Sequence, residues 1–463
     1  MPDVPRLVIS ATRGGLGKTT LTLGVLAAWQ KKGRRVAVFK KGPDFIDAGW
    51  LGRAAGRPCY NLDLFMMEQE NILRSFHQHT ADADAALIEG NRGLFDGVDA
   101  SGSYSTARLA KLLRSPVVLI VDCTKASSTV GAVVMGCRAY DPEVEVRGII
   151  LNNVSPGRHE SVIRKAIEQS SGIPVVGAVP RQKKGDFPER HMGLTPYHEH
   201  PEVGKAISAA VAVAEKYLDL DALWSIARDA SELAAPAPVP RRNPGEEKRA
   251  VIGVIRDIAF QFYYPDNLEA LEEEGASLTE IDALHDTALP PVDALYIGGG
   301  FPETQAAELA ANESFCRSIR AAAEEGLPIY AECGGLIYLG RSLTVGEERY
   351  PMAAVLPLDF VLEKKPQAHG YVVLTTAPGG LFLGNGVTVR GHEFHYSRPV
   401  NIDESQPMAY HVMRGYGMDG KGDGIVYKNV LAAYTHLHAL GTPEWAAAMV
   451  TKAEAYRQSR RAA

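Results

Sequence analysis

Short apolar runs recur along the first half of the chain, with longer polar or amphipathic stretches between them. The runs cover residues 6–11, 36–39, 85–88, 116–121, 148–151 and 175–178. Amphipathic segments of helical length lie near 19–32, 104–113 and 158–170. Strands that alternate with helices in this way predict a mostly parallel sheet with helices on both faces. Ligands of such sheets bind beyond the carboxyl ends of the strands.

The pattern breaks at residues 234–249, where proline, alanine and charged residues follow one another without periodicity. Such a composition is typical of a semi-rigid linker. A second α/β unit begins at residue 250, with strands near 294–297 and 328–331 and helices near 265–274 and 313–325. We therefore predict one domain over 1–233, a linker over 234–249 and a second domain over 250–463.

Length and composition narrow the class of protein. A chain of 463 residues favours two to three domains, and a net charge of −6 argues against a broad nucleic-acid surface. The five scattered cysteines have no zinc-type spacing and indicate reduced thiols. No apolar run approaches the ~18 residues that span a bilayer, and no signal-peptide pattern opens the chain. We expect a cytoplasmic protein without nucleic-acid or membrane partners.

A Gly-rich turn after the first predicted strand has the pattern of a phosphate-binding loop, ATRGGLGKTT over residues 11–20. Its glycines allow backbone N–H groups to converge on phosphate, while Lys18 neutralises charge and Thr19 offers a hydroxyl to Mg²⁺. Thr12 stands where the strict pattern has glycine, so the loop is a variant. The residues predicted to contact nucleotide here are Gly14, Gly15, Gly17, Lys18, Thr19 and Thr20.

Acidic residues lie at or just after several predicted strand ends, on the sheet edge expected to hold this loop. Mg²⁺ prefers such oxygen ligands, although acids at strand ends are also common helix caps. These acids are Asp44, Asp47, Glu89, Asp96 and Asp122. Asn152 follows a further strand, where it either forms a turn or contacts a nucleotide base.

The segment IYAECGG over residues 329–335 predicts a nucleophilic thiol at a strand-to-helix turn. We expect Cys333 to project from the sheet edge, with oxyanion donors at Gly334 and at Gly298–Gly300, including Gly299 and Gly300. Candidate bases are His392, His395, His436 and His438. The remaining cysteines, at 59, 123, 137 and 316, fit buried structural positions.

Several motifs, in order, resemble the cobyrinic acid a,c-diamide synthase family over nearly the whole chain. They are GGLGKTT, FKKGPDFID, EGNRGLFDG, FYYPDNLE, YIGGGFPE, IYAECGGLIYL, GHEFHYS and YTHLH. The family comprises ATP-dependent, glutamine-hydrolysing amidases of tetrapyrrole carboxylates. The resemblance implies a dethiobiotin-synthetase-like P-loop domain followed by a class I glutamine amidotransferase domain of flavodoxin-like fold.

In the second domain the resemblance implies that Cys333 attacks the glutamine side chain and that His436 is its base. Typical class I glutaminases have the pattern H-x-E, in which the glutamate orients the histidine. This chain has His438 at the glutamate position. The sequence therefore predicts a Cys–His pair whose orienting acid is absent or comes from elsewhere.

In the first domain the resemblance implies that ATP phosphorylates a substrate carboxylate and that ammonia displaces the phosphate. Lys18 and Lys40 would contact phosphate, and Asn152 would contact adenine. The residues implied to organise Mg²⁺ or the substrate carboxylate are Thr19, Asp44, Asp47, Glu89 and Asp96. Ammonia is expected to pass between the sites in an enclosed path, and a homodimer is one option.

Related family members amidate cobyrinate or hydrogenobyrinate, nickel-sirohydrochlorin, or sirohaem. Arg13-Gly14-Gly15 replaces the His-Ser-Gly usual in cobyrinate enzymes, and HLHALGTPEW replaces their HLHF-type ending. Cobyrinate is the preferred substrate, with sirohaem or nickel-sirohydrochlorin as alternatives. The loop also resembles that of partitioning ATPases, which place a lysine at the position of Arg13 and lack a glutaminase domain.

Overall fold

The computed structural model describes residues 4–182, 189–190, 193–200, 202–236, 248–403 and 406–462. Two compact units make up the chain. The first contains Met1–Leu64 and Glu68–Ala237, and the second contains Phe65–Met67 and Pro238–Ala463. No pattern in the sequence indicates that Phe65–Met67 belongs with the second unit. Residues 237–247 of the predicted linker lie outside the described residues, and the exact domain boundaries stay a prediction.

The first unit alternates strands and helices. Its described strands are β1 (Arg6–Ala11), β2 (Val36–Lys41), β3 (Cys59–Leu62), β4 (Ala85–Glu89), β5 (Val117–Asp122), β6 (Val146–Val154), β7 (Val175–Pro180), β8 (Glu189–Arg190) and β9 (Gly193–Leu194). Its described helices are α1 (Lys18–Lys31), α2 (Phe45–Ala55), α3 (Gln69–Thr80), α4 (Thr106–Leu112), α5 (Thr129–Tyr140), α6 (Arg158–Ser171), α7 (Val203–Tyr217) and α8 (Leu220–Arg228), with a 3₁₀ turn at Tyr197–Glu199.

Seven strands of this unit form a parallel sheet in the order β3-β2-β4-β1-β5-β6-β7. Every residue of β1 is buried, as a strand covered on both faces requires. The predicted parallel sheet is confirmed. Strand β1 lies between β4 and β5, so strands β2 to β4 are on one side of it and β5 to β7 on the other. Connections that leave a strand toward opposite sides of a parallel sheet form a crevice at its carboxyl end, and the loop after β1 lies there.

The second unit has a longer set of elements. Its described strands are β10 (Ala250–Ile255), β11 (Phe260–Phe262), β12 (Ala276–Ile281), β13 (Ala294–Ile297), β14 (Gly299–Gly300), β15 (Ile329–Glu332), β16 (Ser342–Val345), β17 (Glu348–Pro351), β18 (Asp359–Leu362), β19 (Ala368–Thr376), β20 (Thr388–His395), β21 (Ser397–Val400), β22 (Met408–Arg414), β23 (Gly422–Tyr427), β24 (Val430–Ala433) and β25 (His436–Leu437). Its described helices are α9 (Pro265–Glu273), α10 (Ala306–Ala311), α11 (Glu313–Glu324), α12 (Gly334–Leu339) and α13 (Glu444–Ala462), with a 3₁₀ turn at Pro302–Gln305.

The main sheet of this unit has the order β12-β10-β13-β15-β24-β23-β22-β19-β20-β25. Its first five strands pair in parallel, and the remaining pairs are antiparallel. A smaller sheet has the order β17-β16-β18-β21. Strand β15 lies inside the parallel half and ends at the predicted nucleophile. The α/β class predicted for this unit is confirmed, with a large antiparallel extension.

The described residues contain neither a membrane-spanning helix nor a disulfide. Within the described residues, no helix is both long enough and apolar enough to cross a membrane. All five cysteines belong to the described part of the chain and are free thiols. The predicted cytoplasmic location stays a prediction.

Candidate active sites

The loop between β1 and α1 adopts the backbone that its glycines permit. Gly15 and Gly17 have φ of 69° and 72°, in the left-handed region that other residues rarely occupy. Asn152 braces the loop, since its Nδ2 donates to the Leu16 carbonyl at 2.9 Å and its Oδ1 accepts from the Asn153 N–H at 2.9 Å. Both polar ends of Asn152 therefore bind protein atoms, and its predicted contact with adenine stays a prediction.

Lys18 opens α1 and is 8% exposed. Its Nζ donates to the Arg92 carbonyl at 2.7 Å. Burial and the nearby Lys40 ammonium lower the pKa of Lys18, while Glu89, Asp47 and other acids oppose this change. A cation held next to the loop in this way is suited to bind an anion.

A buried ion network lies at the carboxyl ends of β2 and β4. The register of the two strands pairs Lys40 directly with Glu89. The Lys40 Nζ lies 2.5 Å from Glu89 Oε1 and 2.6 Å from Asp47 Oδ2, and Lys40 is 1% exposed. Although burial lowers the pKa of Lys40, Asp47 and Glu89 raise it above its ordinary value.

Glu89 links this network to the loop. Its Oε1 accepts from the Thr19 hydroxyl at 2.9 Å. Its Oε2 is buried and has no hydrogen-bond partner within the described residues. Burial raises the pKa of Glu89, with Lys40 opposing. An unpartnered carboxylate oxygen next to a loop hydroxyl is the donor set expected for a divalent cation.

Three other predicted acids have different surroundings. Asp44 caps α2 by accepting from the Asp47 N–H at 3.0 Å, and burial together with Asp47 raises its pKa to about 6. Asp96 accepts from the Gly93 N–H at 2.8 Å. Asp122 forms an ion pair with Arg13 at 2.6 Å, on the other side of β1 from Glu89. The predicted catalytic or metal-binding roles of Asp44, Asp47 and Asp96 stay predictions.

Cys333 lies at a sharp turn between β15 and α12, with φ of 46° and ψ of −97°. Its backbone N–H donates to the Ala433 carbonyl at 2.7 Å. Cys333 follows the last residue of β15, at the predicted strand-to-helix turn, and it is 5% exposed. The extended antiparallel strands explain this burial, because Sγ lies 3.7 Å from the Phe394 carbonyl of β20.

The predicted oxyanion donors lie together beside the thiol. A Cβ added to Gly334 would be 3.0 Å from the backbone nitrogen of Gly300. A Cβ on Gly299 would be 2.4 Å from His436 Cε1, and one on Gly300 would be 1.9 Å from the Ala259 carbonyl oxygen. Any side chain at residue 299 would therefore collide with His436, and one at residue 300 would collide with the Ala259 backbone. The oxyanion role of these residues stays a prediction.

His436 forms hydrogen bonds with Cys333 and with Glu332, the residue immediately before the nucleophile. Its Nδ1 lies 3.2 Å from Glu332 Oε2, and the two side chains are 3% and 1% exposed. Burial opposes the charged imidazole, but these hydrogen bonds raise the pKa of His436 to about 10. Glu332 is absent from the residues predicted above, although it belongs to the E-C-G-G motif.

The other candidate bases have different partners. His438 is fully buried with its Nε2 3.4 Å from Asp266 Oδ2. His395 bonds to the Ser397 carbonyl at 2.8 Å, and burial lowers its pKa to about 4. Burial and the nearby His436 lower the pKa of His392, whose ring centroid is 6.3 Å from that of His436. Only His436 among these four has a hydrogen bond to Cys333 within the described residues.

Two family models match the chain in the order of its two units. The CobQ/CobB/MinD/ParA nucleotide binding domain matches residues 7–194, and the CobB/CobQ-like glutamine amidotransferase domain matches residues 251–444. A protein from Magnetococcus marinus named cobyrinate a,c-diamide synthase is 44% identical, covering 96% of each chain. Proteins of the same name from Archaeoglobus fulgidus and Methanosarcina acetivorans are 41% and 37% identical, covering 97% and 99% of this chain and 98% and 97% of their own.

Proposed function

Because the chain belongs to the cobyrinate a,c-diamide synthase family, we propose that it converts the a and c acetate groups of cobyrinate to amides, using ATP and glutamine. The observation that best supports glutamine as nitrogen donor is the buried contact of Cys333 with His436. The phosphate loop with its Lys40–Glu89 pair supports ATP as the source of activation.

In the glutaminase half, Cys333 gives its proton to His436, and the resulting thiolate Sγ bonds to the side-chain carbonyl carbon of glutamine. Negative charge develops on the former carbonyl oxygen, where backbone N–H groups of Gly334 and of Gly299 or Gly300 stabilise it. The carbon–nitrogen bond then breaks, and His436 returns its proton to the leaving nitrogen, which departs as ammonia. Water then gives a proton to His436 and bonds to the thioester carbon, the carbon–sulfur bond breaks, and glutamate leaves while Cys333 Sγ is restored beside the protonated His436.

In the synthetase half, an acetate oxygen of the substrate bonds to the γ-phosphorus of ATP, and ADP leaves. Ammonia then attacks the acyl carbon of this acyl phosphate, loses a proton and displaces phosphate, which leaves an amide. Lys18 and the N–H groups of the loop neutralise phosphate charge, while Lys40 stays protonated between Asp47 and Glu89. Positioning and charge neutralisation provide most of the acceleration in such transfers.

Thr19 and Glu89 are the residues that fit Mg²⁺, since Glu89 Oε2 is buried without a partner among the described residues. The ion would supply charge neutralisation at the β- and γ-phosphates. Among the described residues, no group of three or more His, Cys, Asp or Glu side chains forms a metal site.

We expect Glu89→Gln to lower amide formation on the order of 10²-fold or more from either nitrogen source.

The choice of substrate is tested by mass spectrometry after incubation with cobyrinate, nickel-sirohydrochlorin and sirohaem in parallel. We expect two amidations of cobyrinate, each adding one ammonia and removing one water. If nickel-sirohydrochlorin or sirohaem were converted to a diamide and cobyrinate were not, that tetrapyrrole would be the substrate. If none of the three were amidated, the proposed reaction would be contradicted. A homodimer is a further prediction, which analytical ultracentrifugation checks.

A further inference from the structure

We propose that Glu332 is the positioning carboxylate for His436, supplied by the residue before the nucleophile rather than by the residue two positions after the base. The inference rests on the glutaminase activity proposed above and adds a residue to it. Neighbouring residues in sequence, Glu332 and Cys333, would then contact opposite ends of one imidazole ring.

The contacts of Glu332 account for both carboxylate oxygens. Oε2 lies 3.2 Å from His436 Nδ1 and accepts from the Tyr296 hydroxyl at 3.3 Å. Oε1 accepts from the Leu437 N–H at 3.3 Å, so the acid binds both the base and the backbone next to it. A carboxylate that is 1% exposed needs such partners to remain buried.

Strand geometry explains how one dipeptide serves two roles. Side chains alternate along β15, so Tyr330 and Glu332 share one face while Ala331 lies on the other. Tyr330 packs with Tyr296 in one core cluster, and Ala331 and Cys333 pack in another. The turn at Cys333 ends the strand there, and the ring of His436 spans the space between acid and thiol.

His438, two residues after the base, contacts a different acid and cannot orient His436 as a glutamate there would. His438 contacts Asp266 of α9, whose neighbour Asn267 donates to the Leu437 carbonyl at 3.0 Å and accepts from the Ala439 N–H at 2.7 Å. The two hydrogen bonds of Asn267 hold the backbone around Leu437 against α9. The titratable groups near His436 among the described residues include Cys333, Glu332, His392 and His395.

The chemical consequence follows from which ring nitrogen each partner uses. Because Glu332 binds Nδ1, that nitrogen keeps its proton and Nε2 is left for the thiol. The carboxylate also stabilises the imidazolium that forms when Cys333 is deprotonated. Loss of the carboxylate removes that stabilisation and frees the ring to adopt the unproductive tautomer.

The test compares Glu332→Gln, Glu332→Asp and the control Asp266→Asn, which removes the carboxylate partner of the buried His438. We expect Glu332→Gln to lower glutaminase kcat by on the order of 10²- to 10⁴-fold with KM changed less than about threefold. Glu332→Asp should recover part of this loss, and Asp266→Asn should stay within about threefold of wild type.

A second measurement separates positioning from folding. The rate at which iodoacetamide alkylates Cys333, followed on its peptide by mass spectrometry, should fall at neutral pH in Glu332→Gln, and its pH profile should move to higher pH. Amide synthesis from ammonium chloride should persist in that variant. Wild-type kcat together with an unchanged alkylation profile in Glu332→Gln would overturn the inference. Wild-type protein that releases no glutamate from glutamine would instead contradict the proposed function.

Discussion

At the scale of single residues, Lys40 and Glu89 show how the first unit keeps charge in its interior. Each is nearly inaccessible to water, and their contact stabilises both ionised forms. Removing one partner of a buried pair leaves the other uncompensated. The acids around Lys40 therefore matter to stability as well as to any contact with phosphate.

We expect Lys40→Met to lower the free energy of unfolding by about 3–5 kcal/mol, because Glu89 and Asp47 would lose their buried cation. Urea denaturation of the purified variant measures this. The control is Lys31→Met. The side chains of Lys31 and Glu215 are both exposed, so their ion pair should contribute less than about 1 kcal/mol to stability. Equal losses in the two variants would contradict the network.

His395 predicts a pH dependence of stability. Burial holds its folded pKa at about 4, below the unfolded value of about 6.5, so folding favours the neutral ring. Its contribution is complete above pH 6.5 and is lost as the pH falls through 4, by about 3 kcal/mol at that pH. Urea denaturation should show wild type losing this stability relative to His395→Gln. The control His285→Gln changes an exposed histidine and keeps His395, so its stability should fall with pH as that of wild type does. A parallel pH dependence of wild type and His395→Gln would exclude the contribution of His395.

At the scale of elements, the turn from β15 into α12 places Cys333 in a backbone conformation that favours glycine. We expect Cys333→Gly to be more stable than Cys333→Ala by about 1 kcal/mol, since glycine relieves the strain. At Cys316, inside α11, glycine should instead be less stable than alanine by about 1 kcal/mol. Thermal denaturation of the four variants measures these differences in stability. If glycine were less stable than alanine at both positions, the backbone at Cys333 would not be strained.

The apolar runs predicted the parallel strands closely. The predicted strand at 294–297 matches β13, and the one at 328–331 differs from β15 by one residue. A strand buried on both faces leaves a continuous apolar run, which sequence reveals. The antiparallel strands β19, β20, β22 and β25 were missed. In β20 and β22 exposed or half-buried residues interrupt the buried ones, so that no continuous apolar run marks the strand.

Site residues that belong to a local motif could be predicted from the sequence, whereas those brought together by strand packing could not. Loop glycines, Lys18 and Cys333 follow from local motifs. The partner of His436 depends on how β15 and β25 lie in the folded unit, 104 residues apart in sequence. No local spacing encodes that contact, so Glu332 went unassigned even though it adjoins the nucleophile. The burial of Cys333 under β20 was missed for the same reason.

At the scale of the whole molecule, the chain combines two chemistries that share only ammonia. The predicted residues for each reaction lie in a different unit: Cys333 and His436 in the second, and Lys18 and Glu89 in the first. A substitution in the glutaminase site should therefore reduce amide formation from glutamine alone. A substitution in the ATP site should reduce amide formation from both glutamine and ammonia.

The most direct measurement is amide formation on cobyrinate by Cys333→Ala and Lys18→Ala, each supplied with ATP and either glutamine or ammonium chloride. We predict that Cys333→Ala loses at least about 10²-fold with glutamine but stays within about threefold of wild type with ammonium chloride. Lys18→Ala should form no amide from either source. Folded Cys333→Ala that fails with ammonium chloride, or that still uses glutamine, would contradict the account.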